Sequence, residues 1–287
     1  METQMVGIEL HEADRKVYRD QGFWIGPHLF DDTAVEELRD AVYRTIRGER
    51  DFDSMHWGQP PKFDPQSPKL AHVVNGWWVN AKIRELIQSD EIGYLASQLM
   101  GAHEVRLVHD QVLYKPGVGS ESGEVLDGNV GWHQDAAHWT MFNSTTFCTA
   151  WIALQDTNLS NGSMCFVEGS HKWGLIRDAA GFANKDLHAS EKKFSQGDRR
   201  WVETPCVLEA GQVSFHTGLT FHGSGPNRTD APRLSIALNM MPGGTTYNKH
   251  GRDNLIGAQL GPYVKHGDPC TDPFFPRIWP PQTELIN

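Results

Sequence analysis

The residues with the clearest capacity for chemistry are His133 and Asp135, in the stretch Trp132-His133-Gln134-Asp135. On a strand, positions i and i+2 point to the same face. An imidazole and a carboxylate would then lie side by side, as two ligands of one metal ion must. Two protein ligands leave most of a coordination sphere open, so the pair requires a third donor from elsewhere. Two imidazoles and a carboxylate on one face of an iron are the donor set of non-haem Fe(II) oxygenases. The pair alone says little. With 14 histidines in the chain, about one His-x-Asp arises by chance, and His266-Gly267-Asp268 is a second one. No histidine follows His266, whereas several follow His133.

Two of those later histidines each follow a phenylalanine, in Phe215-His216 and Phe221-His222. His222 opens a turn-rich run, and Arg233 stands eleven residues after it at the start of an alternating stretch. Leu234, Ile236 and Leu238 share one face of that stretch, and Arg233, Ser235 and Ala237 share the other. A guanidinium among small residues has space above it for a carboxylate, which arginine pairs with bidentately. His216 competes as third ligand, but the residue eleven beyond it is Asn227. Arg228 competes as anion anchor, but it lies in a Pro-Asn-Arg-Thr-Asp turn and is expected to be solvated.

The elements that must hold these residues divide into two kinds. Helical spacing is expected over 9–21, over a stretch opened by a Thr33–Glu36 capping box, over 81–88, and over 90–100 with Ser89 as N-cap and Gly101 just beyond the end. From 104 the period becomes 2. Strands are expected near 105–115, 131–135, 146–155, 163–168, 202–208, 212–216 and 233–240, punctuated by Asn161-Gly162 and Ala210-Gly211. Helices followed by antiparallel strands predict an α+β fold, with N-terminal helices packed on a jelly roll. The segment 175–200 is polar without clear period and reads as a surface insertion. The aromatic, proline-rich tail around 273–281 is expected to lie against the body. One domain over 1–287 is expected: a helical part over 1–103, a jelly-roll core over 104–242 and an extension over 243–287.

At 287 residues and 39% hydrophobic, the chain can bury a full core. Its net charge of −10 argues against a nucleic-acid or anionic-membrane partner and leaves a small-molecule substrate. Cys148, Cys165, Cys206 and Cys270 form no CxxC, so reduced buried thiols are expected. The N-terminus has no signal-peptide pattern, and no apolar run reaches membrane-spanning length. A cytoplasmic protein is expected, monomeric or homodimeric.

His133-x-Asp135, His222-x-Ser224, Asn227 and Arg233 together resemble the phytanoyl-CoA dioxygenase family. Further echoes are Tyr114-Lys115-Pro116, Trp151-Ile152-Ala153-Leu154 followed by Asn161-Gly162-Ser163-Met164, and Val167-Glu168-Gly169-Ser170-His171. The likeness spans residues 15–242 approximately. It implies a double-stranded β-helix (jelly-roll, cupin-like) core, Fe(II) as cofactor, and 2-oxoglutarate and O2 as co-substrates. By position, it implies iron on His133, Asp135 and His222, and the distal carboxylate of 2-oxoglutarate on Arg233. Ser224 and Thr149 match positions that hydrogen-bond that co-substrate. Asp135 favours hydroxylation over halogenation, because halogenating relatives carry a small residue there. Gln111 faces the same site by strand alternation, and His138, Trp139, Trp77 and Trp78 are candidate substrate walls.

The implied reaction is hydroxylation of an unactivated C–H bond of a small or medium-sized metabolite, with release of succinate and CO2. Desaturation, epoxidation or ring formation would draw on the same site. A non-redox metal-dependent isomerase or lyase, or a ligand-binding jelly roll, is the alternative of a different class.

Overall fold

The structure is a computed structural model that describes residues 8–54, 63–120, 128–251 and 263–281. The N-terminal part supplies α1 (Glu12–Gln21), β1 (Phe23–His28), α2 (Asp32–Ile46), β2 (Ala71–Val74), α3 (Ala81–Leu86) and α4 (Asp90–Met100). Ser89 caps α4 by accepting from the Ile92 N–H, and Gly101 closes it in the left-handed region at φ 66°. Such a cap contributes about 1 kcal/mol. The start of α2 differs from expectation. Asp31, not Thr33, is its N-cap and accepts from the Ala34 N–H, so the helix begins one residue before the Thr33–Glu36 pair and that pair lies inside it.

The β-rich part comprises β3 (Val105–Lys115), β4 (Val130–His133), β5 (Cys148–Ala153), β6 (Met164–Val167), β7 (Glu203–Pro205), β8 (Gln212–Thr217), β9 (His222–Ser224) and β10 (Arg233–Pro242), with two short helices, α5 (Asp135–His138) and α6 (Leu187–Phe194), between strands. They form two sheets. The larger has the order β1-β8-β5-β10-β3-β11, where β11 is Arg277–Trp279 of the tail, with β2 also on β3, and the smaller has the order β4-β9-β6-β7. Pairing is antiparallel throughout these ladders. From β3 to β6 the chain crosses between the sheets at every strand, and it does so again from β7 to β10. That winding is a double-stranded β-helix.

Alternation along the strands decides what each face meets. Leu234, Ile236 and Leu238 of β10 enter the main hydrophobic core with Val42, Ile92 and Leu95 of the helices. The helices therefore cover the outer face of the larger sheet. Its inner face carries Gln111, Thr149, Arg233 and Asn239, which line a cavity between the sheets. The tail joins the same body: β11 (Arg277–Trp279) pairs with β3, and Phe275 and Ile278 are buried.

The segment 175–200 is not the surface insertion that its polarity suggests. It contains α6, buries Ala179 and Phe194, and receives the Gln134 N–H on the Ala179 carbonyl and the Gly131 N–H on the Phe182 carbonyl. Gly131 allows this approach, because a Cβ there would stand 2.1 Å from the carbonyl oxygens of Gly181 and Asn184. All four cysteines are free and buried. No helix of the described residues is long and apolar enough to cross a membrane.

Candidate metal centre and anion pocket

His133 and His222 stand directly opposite each other on the β4–β9 ladder. Their ring centroids are 4.1 Å apart. His133 Nδ1 lies 2.7 Å from the Gly131 carbonyl and His222 Nδ1 lies 3.0 Å from the Thr220 carbonyl. A carbonyl only accepts, so both rings are the Nδ1–H tautomer and present Nε2 lone pairs. Those Nε2 atoms lie 3.5 Å and 3.6 Å from Asp135 Oδ1. The three ligand atoms all fall within 4.8 Å of one another, and all three residues are buried.

Burial opposes a charged Asp135, yet the imidazoles of His222, His133 and His216 around it hold its carboxyl well below the ordinary carboxylate range. Burial, and then His133, hold His222 well below 6.5, so its ring is neutral. One carboxylate and two imidazole Nε2 atoms aimed at one point match the requirements of a divalent transition metal. The residues fit an iron.

The expected strand over 131–135 is interrupted. β4 ends at His133, and Asp135 opens the short helix α5. Gln134 makes the corner rigid. Its buried amide donates to the carbonyls of Gly174 and Leu219 and accepts from the Ile176 N–H. Every polar atom of the residue between the two ligands is thereby used, so the ligands are preorganised by a bend and not by a pleat.

Thr149, for which the resemblance implies a co-substrate contact, lines the cavity shared with Ser224 and Arg233 and is also tied to a metal ligand. Its hydroxyl donates to Asp135 Oδ2 at 2.7 Å and accepts from Asn239 Nδ2 at 2.8 Å. Asn239 Oδ1 in turn accepts from Gln111 Nε2 at 2.8 Å. Thr149 thus orients a metal ligand, in a chain that runs Gln111, Asn239, Thr149, Asp135. Thr149→Val keeps the shape and removes both hydrogen bonds. It is expected to weaken Fe(II) affinity by about 10- to 100-fold, the usual cost of losing such an outer partner, as read by competition with a metal-chelating dye.

His216 is the residue that the sequence left in contention. It lies on β8, fully buried, with Nε2 3.4 Å from Asp135 Oδ2. It therefore approaches the oxygen away from the two ligand imidazoles and stands outside the three-residue cluster.

A narrow cavity of about 60 Å³ continues from the triad to Ser224 and Arg233. Arg233 is buried, with Nη1 3.2 Å from Ser235 Oγ and its guanidinium over the Trp151 ring at 5.1 Å. Its Nε has no partner among the described residues. Burial lowers its pKa to about 10, so it remains cationic at neutral pH. No carboxylate of the described residues forms an ion pair with it. Arg228 lies outside this cavity.

A wider chamber of about 440 Å³ opens on another side of His133 and Asp135, walled by His72, His109, His138, Trp139 and Phe182. Trp77 and Trp78 line neither space. They are buried in the main core, in a turn whose N–H groups at Gly76 and Trp77 are accepted by the buried Asp110 carboxyl. Phe182, His72 and His109 escaped sequence reasoning. Strand alternation from Gln111 reaches His109, but no local signal announces Phe182.

A double-stranded β-helix that converges two imidazoles and a carboxylate on one inner point has the architecture of the non-haem iron oxygenases. A family model described as "Phytanoyl-CoA dioxygenase (PhyH)" matches residues 18–235, and the chain belongs to that family. It is 30% identical over 176 residues to a probable alpha-ketoglutarate-dependent hypophosphite dioxygenase of Stutzerimonas stutzeri, covering 59% of this chain and 56% of that protein. The match thus spans little more than half of that relative. Among solved structures it resembles the non-heme alpha ketoglutarate dependent carbocyclase SnoK from nogalamycin biosynthesis, with a TM-score of 0.71 and 24% identity over 94% of this chain and 96% of that one. It also resembles the epimerase SnoN in complex with Fe3+, alpha ketoglutarate and nogalamycin RO, with a TM-score of 0.67 and 25% identity over 93% and 98% of the two chains.

Proposed function

We propose that this chain is an Fe(II)/2-oxoglutarate-dependent dioxygenase. It hydroxylates an unactivated C–H bond of a small or medium-sized metabolite and releases succinate and CO2. The observation that carries this reading is the buried Arg233, with no carboxylate of the described residues paired to it, in the cavity that also contains the His133, Asp135 and His222 donor atoms. A metal site for isomerase or lyase chemistry has no need of a buried cation reserved for a second anion. The family and the iron- and alpha-ketoglutarate-bound SnoN structure support the same reading.

In this mechanism the three ligands hold iron, which, with 2-oxoglutarate and O2, supplies the oxidation of a C–H bond. Arg233 binds the distal carboxylate of the co-substrate and so fixes its orientation toward the triad. Gln134, Thr149 and Asn239 keep the Asp135 carboxylate aimed. Trp139, His138 and Phe182 form walls that hold the substrate beside the metal and exclude bulk water. The carboxylate of Asp135 supports hydroxylation over halogenation. Desaturation, epoxidation and ring formation draw on the same residues and are separated by product analysis. The four free buried thiols support a cytoplasmic location.

Anaerobic addition of Fe(II) and 2-oxoglutarate is expected to give a weak visible charge-transfer band. Admission of O2 is then expected to yield succinate, slowly without substrate and faster with it. Absence of both the band and succinate from the wild-type protein would sink this reading.

A further inference from the structure

Lys115 is the last residue of β3 and the direct cross-strand partner of Arg233 on β10. Opposed residues of a ladder project to one face, where like charges destabilise each other. Lys115 is completely buried, at 0% exposure. No carboxylate of the described residues forms an ion pair with either cation. Burial, and then Arg233, hold the Lys115 ammonium well below its ordinary pKa. The chain thus places two basic groups side by side in its interior with no counter-ion among the described residues, an arrangement that costs stability unless an anion joins it.

The hydrogen bonds of Lys115 indicate what it does. Its Nζ donates to Ser224 Oγ at 2.6 Å and to the Gly225 carbonyl. Once an anion joins the pair and Lys115 carries its charge, it has donors and no lone pair, and Ser224 Oγ accepts from it. The proton of that serine is left to donate elsewhere, and no acceptor among the described residues takes it. Ser224 and Arg233 line the same narrow cavity, which Lys115 itself does not.

We propose that Lys115 is a positioning residue for the diacid co-substrate: from behind the cavity wall it sets the Ser224 hydroxyl as a donor, which joins Arg233 in holding the distal carboxylate. The inference rests on 2-oxoglutarate being the co-substrate. It makes discrimination between a diacid and a monoacid depend on a residue that touches neither.

The test uses the Fe(II)-loaded protein under anaerobic conditions, titrated with 2-oxoglutarate and with 2-oxopentanoate, whose chain ends in a methyl group. Lys115→Met and Ser224→Ala are each expected to weaken 2-oxoglutarate binding about tenfold, as for one charge-assisted hydrogen bond, and 2-oxopentanoate less than about threefold. The double variant should lie within about threefold of the weaker single one, because the two act as a unit. A purely structural role for Lys115 would weaken both acids equally, and that outcome overturns the proposal. So do multiplicative losses in the double variant. The Ser224→Ala arm does not depend on the folding of Lys115→Met, and an unchanged preference there is also fatal. Wild type that binds neither acid defeats the co-substrate reading itself. Wild type that binds the diacid, with Lys115→Met retaining its preference, defeats only the role of Lys115.

Discussion

Arg233→Ala is expected to weaken 2-oxoglutarate binding by between about 30-fold and a few thousand-fold, while Fe(II) affinity stays within about threefold. Truncating one partner of a buried charged pair costs about 2–5 kcal/mol, and each 1.4 kcal/mol is tenfold. The high end applies here because the guanidinium is buried and cationic, with no carboxylate of the described residues to share it. Arg233→Lys should recover part of the loss, since it restores a charge but not the planar fork. Separate titrations of iron and of 2-oxoglutarate decide the matter. An equal loss of both would assign Arg233 to the framework of β10 instead of to the co-substrate.

His222→Ala should reduce Fe(II) affinity by more than about 100-fold, exceeding what outer partners of metal ligands contribute, and succinate formation should disappear with it. His216→Ala should leave iron affinity within about tenfold, although both rings are buried beside Asp135. The difference follows from geometry. His222 shares Oδ1 with His133, and its Nδ1 is anchored on the Thr220 carbonyl. His216 has no hydrogen-bond partner on either ring nitrogen among the described residues and approaches the opposite oxygen. Iron retention after desalting, measured for both variants, tests the assignment. Loss of iron in His216→Ala with retention in His222→Ala would reverse it.

The sequence by itself determined the residue types and spacing that the metal site uses. His133 and His222 face each other because antiparallel alternation sends alternate side chains inward, and that period is written in the chain. The same period puts Leu234 against the helices and Arg233 in the cavity. The caps of α4 were equally legible, since Ser89 and Gly101 act on their own neighbours.

What only the tertiary structure decided concerns residues far apart in sequence. That Asp135 opens a helix instead of ending a strand depends on Gln134 finding the carbonyls of Gly174 and Leu219, 40 and 85 residues away. Thr149 turns to Asp135 because β5 lies beside β10, where Asn239 holds the hydroxyl from the other side. Phe182 reaches the chamber from a polar stretch because one glycine, Gly131, lets two backbones touch. Trp77 and Trp78 pack away from it because Asp110 accepts the N–H groups of their turn. Local period and capping are short-range properties that a sequence displays directly. Which hydroxyl meets which carboxylate is set by strand order and register, and these emerge only when the whole core closes.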